Sequence, residues 1–117
     1  LVLGSEQTNI DVTAKLISRS EDLSQKVTKG QQEKLAQLIA KAHNLISSRR
    51  YDEAESILQS VTRDFPSVSV SYDLLGNISY LRKDLGRALS YYEQSMKLNP
   101  ENPETSRMVN RLRGMAN

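Results

Sequence analysis

The sequence predicts an all-α chain, a solenoid of antiparallel helix pairs with about five to six helices, on three observations. Apolar residues recur at three- and four-residue steps from about Gln31 onward. No alternating stretch of useful length competes for a strand. The segment YDEAESILQSVTRDFP at 51–66 is answered by LGRALSYYEQSMKLNP at 85–100, with an Ala in the first turn and a Pro at the end of each.

The elements follow in order. Residues 1–34 include SEQTNIDVTAKLISRSEDLSQKVTKG, where Val12, Leu16, Leu23 and Val27 support one amphipathic helix. Arg19 and Lys26 hold seam positions that a coiled coil would fill with apolar side chains, which argues against a long zipper. Residues 17–28 also repeat Glu21, Gln25, Val27 and Thr28 when set against 51–62 at the same interval. The segment is therefore read either as a single docked helix or as a degenerate repeat. Leu35, Leu38, Ile39, Ala42, Leu45 and Ile46 give the next helix one wide apolar face, and SSRR interrupts it. Asp52 and Glu53 then open a helix with acids in its first turn and Ala54, Ile57, Leu58 and Val61 inward. Ser67 is the expected N-cap of the following helix, whose apolar positions are Val70, Leu74, Leu75 and Ile78. After LRKD come Leu85, Ala88, Leu89, Tyr92 and Met96, and Pro103 starts a final helix with Met108, Val109 and Leu112.

Length, charge and cysteine content bound the function. A chain of 117 residues is one domain's worth. Cysteine is absent, which excludes disulfides, thiolate metal sites and Cys nucleophiles. That fits a cytoplasmic setting and leaves a periplasmic or membrane-tethered fragment open. No apolar run reaches the roughly 18 residues of a membrane span, and the opening LVLG is too short for a signal peptide. Basic and acidic side chains balance in 1–34, 35–68 and 69–102, so the net charge of +2 resides in 103–117, on Arg107, Arg111 and Arg113 against Glu104. A neutral body argues against a broad nucleic-acid footprint, which needs many phosphate contacts.

The repeat resembles the tetratricopeptide repeat (TPR) family, whose helix–turn–helix unit has the same length. Tyr72, Leu75 and Gly76 match its W-x-x-L-G motif, Tyr80 lies near its next aromatic, and Ala88, Tyr92, Ser95 and Pro100 match the second helix. Leu38, Ala42, Leu45, Ala54, Leu58, Val61 and Pro66 carry a looser match, with Lys41 where the family usually has Leu. The resemblance implies one unit at 35–68, a second at 69–102 and a capping helix at 103–117. Ala42, Ala54, Pro66, Gly76, Ala88 and Pro100 form its structural signature. It further implies a protein–protein interaction scaffold, without catalysis or cofactor, whose concave groove takes a partner's peptide or helix. Carried over by position, the groove is Ile39, His43, Ile46, Asp73, Leu74, Asn77, Tyr80, Leu81, Arg107 and Arg111, with Ala36, Ala40, Ser47, Val70, Glu104 and Met108 alongside. Chaperone-binding relatives grip a C-terminal carboxylate with Lys and Asn; Ile39, His43 and Leu74 occupy three of those positions here, so a different, more apolar ligand is expected.

Other chemistry is sparse. His43, the one histidine, has no Asp, Glu or Cys at ligand spacing, so no metal site is expected. Asp52, Glu53 and Glu55 cluster as acid–base pairs sometimes do, but their place in a helix's first turn is explained by the macrodipole. Gly76 is assigned to helix packing and Gly86 to a turn; Tyr92 is placed in the core and Tyr91 at the surface. Two rival functions accompany the groove: homo-oligomerisation through the N-terminal helix or the solenoid ends, and an acidic partner or nucleic acid on the basic last helix.

Overall fold

A computed structural model describes residues 28–116, which form five helices: α1 (Lys29–Ser47), α2 (Tyr51–Asp64), α3 (Ser69–Leu81), α4 (Leu85–Leu98) and α5 (Pro103–Ala116). No strand occurs among these residues. Each helix packs on the next, as the all-α helix-pair reading requires, and α1 also touches α3. The expectations for residues 1–27 lie outside the described residues.

Local chemistry starts each helix. Thr28 and Gln31 form a capping box at α1, each side chain accepting from the other's backbone N–H at 3.2 and 2.9 Å. The helix thus begins at Lys29, two residues before Gln31, from which the apolar pattern runs. Arg50 precedes α2 and binds Glu53, while at the corresponding position Asp84 caps α4 by accepting from the Arg87 N–H. Asn102 accepts from the Glu104 N–H as α5 begins. One expectation fails: the N-cap of α3 is Val68, and no side chain caps that end, Ser67 included. Val68 is 1 % exposed. Burying its isopropyl group in the core takes precedence over a serine cap one residue earlier.

The repeat interval is visible in the backbone itself. Arg49 (φ 63°) and Lys83 (φ 65°) both adopt the left-handed conformation just after α1 and α3. Around each, the following N–H reaches back to the carbonyl five residues earlier, Arg50 to Leu45 and Asp84 to Ser79, closing the same Schellman turn twice. Lys83, not Gly86, makes the second turn. Gly86 lies inside the first turn of α4, with open space where a Cβ would stand. Phe65 (φ −133°, ψ 71°) and Asn99 (φ −141°, ψ 80°) end α2 and α4 in matching non-helical conformations. Pro66 and Pro100 impose this, because a proline ring clashes with a helical residue before it.

Two core clusters result. The first joins Leu35, Ile39, Ala42, Ala54, Leu58, Val61, Leu75 and Ile78, and the second joins Ala88, Tyr92, Val109 and Leu112. Ala54 and Ala88 are fully buried. Tyr91 is half-buried against the first cluster rather than at the surface. Arg82, after α3, reaches back to Asp52 and Glu55 in α2 and lies 5.8 Å from the Tyr51 ring, tying the second hairpin to the first. Such a water-exposed network contributes on the order of 1 kcal/mol or less.

Gly76 is where the second hairpin is tightest. A Cβ there would stand 2.7–2.9 Å from the Tyr92 ring. That ring is buried, and its hydroxyl is bonded to Asn77, so it cannot swing aside. Gly76→Ala should therefore destabilise by about 1–3 kcal/mol despite better helix propensity. Gly86→Ala should stabilise by up to about 1 kcal/mol, and urea unfolding of the pair measures both signs. The left-handed turns supply a second prediction. Arg49→Gly and Lys83→Gly each remove a Cβ strain of roughly 1 kcal/mol and should raise the melting temperature.

Candidate interaction surface

Helices α1, α3 and α5 carry the residues that the sequence assigns to a groove, and the structure divides them into two sets. Ile39 (1 % exposed) and Leu74 (6 %) belong to the first core cluster, so they hold helices together. Ala36 and Ala40 are buried as well. Asp73 is half-buried and accepts a hydrogen bond from the Thr105 hydroxyl at 2.8 Å, joining α3 to α5. Ile46 and Tyr80 are half-buried, each packed on a core cluster. The accessible set is His43, Asn77, Leu81, Arg107 and Arg111, with Ser47 and Glu104.

The accessible residues fall into rows at the repeat interval. His43, Asn77 and Arg111 occupy one position on α1, α3 and α5; Ser47, Leu81 and Met115 occupy the position four residues further on. Leu81 (49 % exposed) and Met115 (58 %) are the exposed large hydrophobic side chains of the described residues. A single exposed Leu needs no explanation. Two at one repeat position put an apolar strip beside a polar row. Met115 is absent from the groove that the sequence assigns, although one repeat interval beyond Leu81 reaches it. Asn77 accepts from the Tyr92 hydroxyl through Oδ1, which turns its amide N–H donors outward. Arg107 and Arg111 join no ion pair among the described residues, whereas Arg113 is engaged by Glu93 at 2.6 Å.

Behind this face lies a polar cluster. Burial pushes the Asp73 carboxyl above its ordinary value and the nearby Glu104 adds repulsion, while Ser95 and Thr105 work in the opposite direction. The Ser95 hydroxyl is close enough to favour the carboxylate but makes no geometrically complete hydrogen bond, and it is fully buried. Burial, and then Asp73 and Tyr80, hold the Tyr92 phenol far above the usual tyrosine range, so it remains a donor to Asn77. A shallow depression opens elsewhere on α1, lined by Gln37, Lys41, Asn44 and Ser48 among others. Among the described residues no three His, Cys, Asp or Glu side chains converge, and no helix is long and apolar enough to cross a membrane.

Helix pairs whose turns and prolines recur once per repeat define a helical-repeat solenoid. The tetratricopeptide repeat model matches residues 70–102, so this segment, which spans α3 from Val70 onward and all of α4, is similar to one repeat of that family. No curated protein and no solved structure matches the chain. Repeats of this family generally mediate protein–protein interaction.

Replacing Thr105 by valine keeps the shape but removes the donor to a half-buried carboxylate. Thr105→Val should cost about 1–3 kcal/mol in urea unfolding at neutral pH, and Ser106→Ala, its half-buried neighbour, much less.

Proposed function

We propose that this chain is a protein–protein interaction module that receives a partner segment across α1, α3 and α5. In this reading residues 35–68 are a first repeat unit, 69–102 a second, and α5 a cap that completes the groove. The observation that carries the reading is the paired exposure of Leu81 and Met115 beside His43, Asn77 and Arg111. A partner helix or extended segment would set an apolar side chain against Leu81 and Met115 and a carboxylate against Arg107 or Arg111. The Asn77 amide would donate to a backbone carbonyl. Such a mechanism is passive: rigid helices present the contacts already arranged, so less ordering accompanies binding.

Exposed positions make better probes than Tyr80, whose ring is packed on the second core cluster. Peptides selected from a random display library against the domain should carry an apolar anchor and at least one acidic residue. Leu81→Ser with Met115→Ser should weaken their affinity by about tenfold or more, with little change in melting temperature. Arg107→Glu with Arg111→Glu should do the same for the acidic peptides and reduce the salt dependence of binding. Peptides that bind both double variants as tightly as the parent would overturn the assignment.

A further inference from the structure

Helices α3 and α5 each seal one face against the hairpin before them, and α1 leaves that face open. α3 buries Ser71, Leu75 and Ile78 there, and α5 buries Thr105, Val109 and Leu112. At the same repeat positions α1 carries Gln37, Lys41 and Asn44, two of them exposed and one half-buried. A hairpin stacked on that face would strip water from an ammonium and two amides. The helix starts agree. Ser69 and Pro103 open α3 and α5 at the repeat position of Leu35, whereas α1 is already helical from Lys29, through the stretch where the later units turn. The apolar side chains of residues 1–27 therefore find no matching seam on α1. The exposed large hydrophobic side chains among the described residues are Leu81 and Met115, on the face that also carries Arg107 and Arg111.

We propose that the chain carries its own occupant for this face: Val12 and Leu16 cover Met115 and Leu81, Asp11 pairs with Arg107 or Arg111, and a partner segment must displace them. This rests on the interaction reading of α1, α3 and α5. Reach selects the residues. From Lys29 to Ser47, which shares its repeat position with Leu81, α1 rises about 27 Å. Counted back from Thr28, a fully extended chain brings Leu23 only about 17 Å, and Glu21 and Asp22 no more than about 25 Å. Leu16 can reach about 40 Å and Val12 about 55 Å, far enough to cross to α3 and α5. Charge agrees with reach. Up to Leu16 the segment holds Glu6 and Asp11 against Lys15, an acidic balance opposite Arg107 and Arg111, which join no ion pair among the described residues.

The chain has no cysteine, so Thr8→Cys takes a single nitroxide label on the whole chain. In amide spectra of isotope-labelled protein the nitroxide should broaden Leu81 and Met115 more than α2. Asp11→Arg with Val12→Ser and Leu16→Ser should remove that broadening, and Arg107→Glu with Arg111→Glu should weaken it. The triple variant should also bind display-selected peptides about threefold or more tightly, because its groove is open for a larger share of the time. Absence of broadening at Leu81 and Met115 would sink the proposal. Broadening found only when nitroxide and isotope sit on different, mixed copies would replace the internal occupant with a second chain. Peptide affinity that the triple variant leaves unchanged would overturn the competition. The spectra need no peptide, so the two readings fail separately. A face that holds residues 11–16 and takes no peptide refutes the partner reading alone, and peptides that bind without any broadening refute this one alone.

Discussion

The contact between Gly76 and the Tyr92 ring sets how closely α3 and α4 can lie, and the second half of the molecule is built on that distance. A glycine in mid-helix costs on the order of 1 kcal/mol of propensity. The ring that fills the vacated space is one of the largest fully buried side chains. The first hairpin solves the same problem with Ala42 and Leu58 at the corresponding positions, both fully buried. A methyl group added on one helix is matched by an aromatic ring reduced to an isobutyl group on the other. Volume is conserved across the crossing, which is the kind of exchange that a close-packed interior tolerates. The ring brings a hydroxyl with it, and that hydroxyl fixes the Asn77 amide on the exposed face of α3. The packing solution in the core thus orients a group on the surface.

Much of this architecture was legible because it rests on local signals. Prolines act through the residue before them, so Pro66 and Pro100 mark the ends of α2 and α4 directly. Helical periodicity identifies Ala54, Leu58, Ala88 and Tyr92 as core, and each is buried. What escaped was decided by competition between local preference and tertiary burial. Ser67 has the better capping chemistry, but Val68 takes the cap position because its side chain reaches the core. Glycine is the usual residue for a left-handed turn, yet the turns fall on Arg49 and Lys83. The hydrogen bonds that close each helix determine the conformation there, and composition gives no hint of it.

The face of α1, α3 and α5 was legible in position but not in accessibility. Repeat position says which side of a helix a residue occupies; it does not say how far the neighbouring helix covers it. Ile39 and Asp73 share a repeat position, yet one is sealed in an apolar core and the other sits half-buried in a polar cluster. The same contrast marks the outward row of α1. Gln37 and Lys41 are exposed where α3 buries Ser71 and Leu75 and α5 buries Thr105 and Val109. Buried Ser71 satisfies its hydroxyl locally, on the Val68 carbonyl at 2.7 Å, and Thr105 satisfies its own across the seam. Only the second of these arrangements ties one helix to another.

That difference gives the two seams different roles. The first is an apolar interface reinforced by Arg82, whose guanidinium spans from the α3–α4 turn to α2. The second depends on fewer apolar side chains and on the hydrogen bond from Thr105 to Asp73. Leu81 and Met115 stand on opposite sides of this second seam, one at the end of α3 and the other near the end of α5. A partner that touches both can do so only while α5 is docked. On the interaction reading, binding and docking are then linked thermodynamically: whatever closes the seam raises affinity, and an occupied face closes the seam by the same factor.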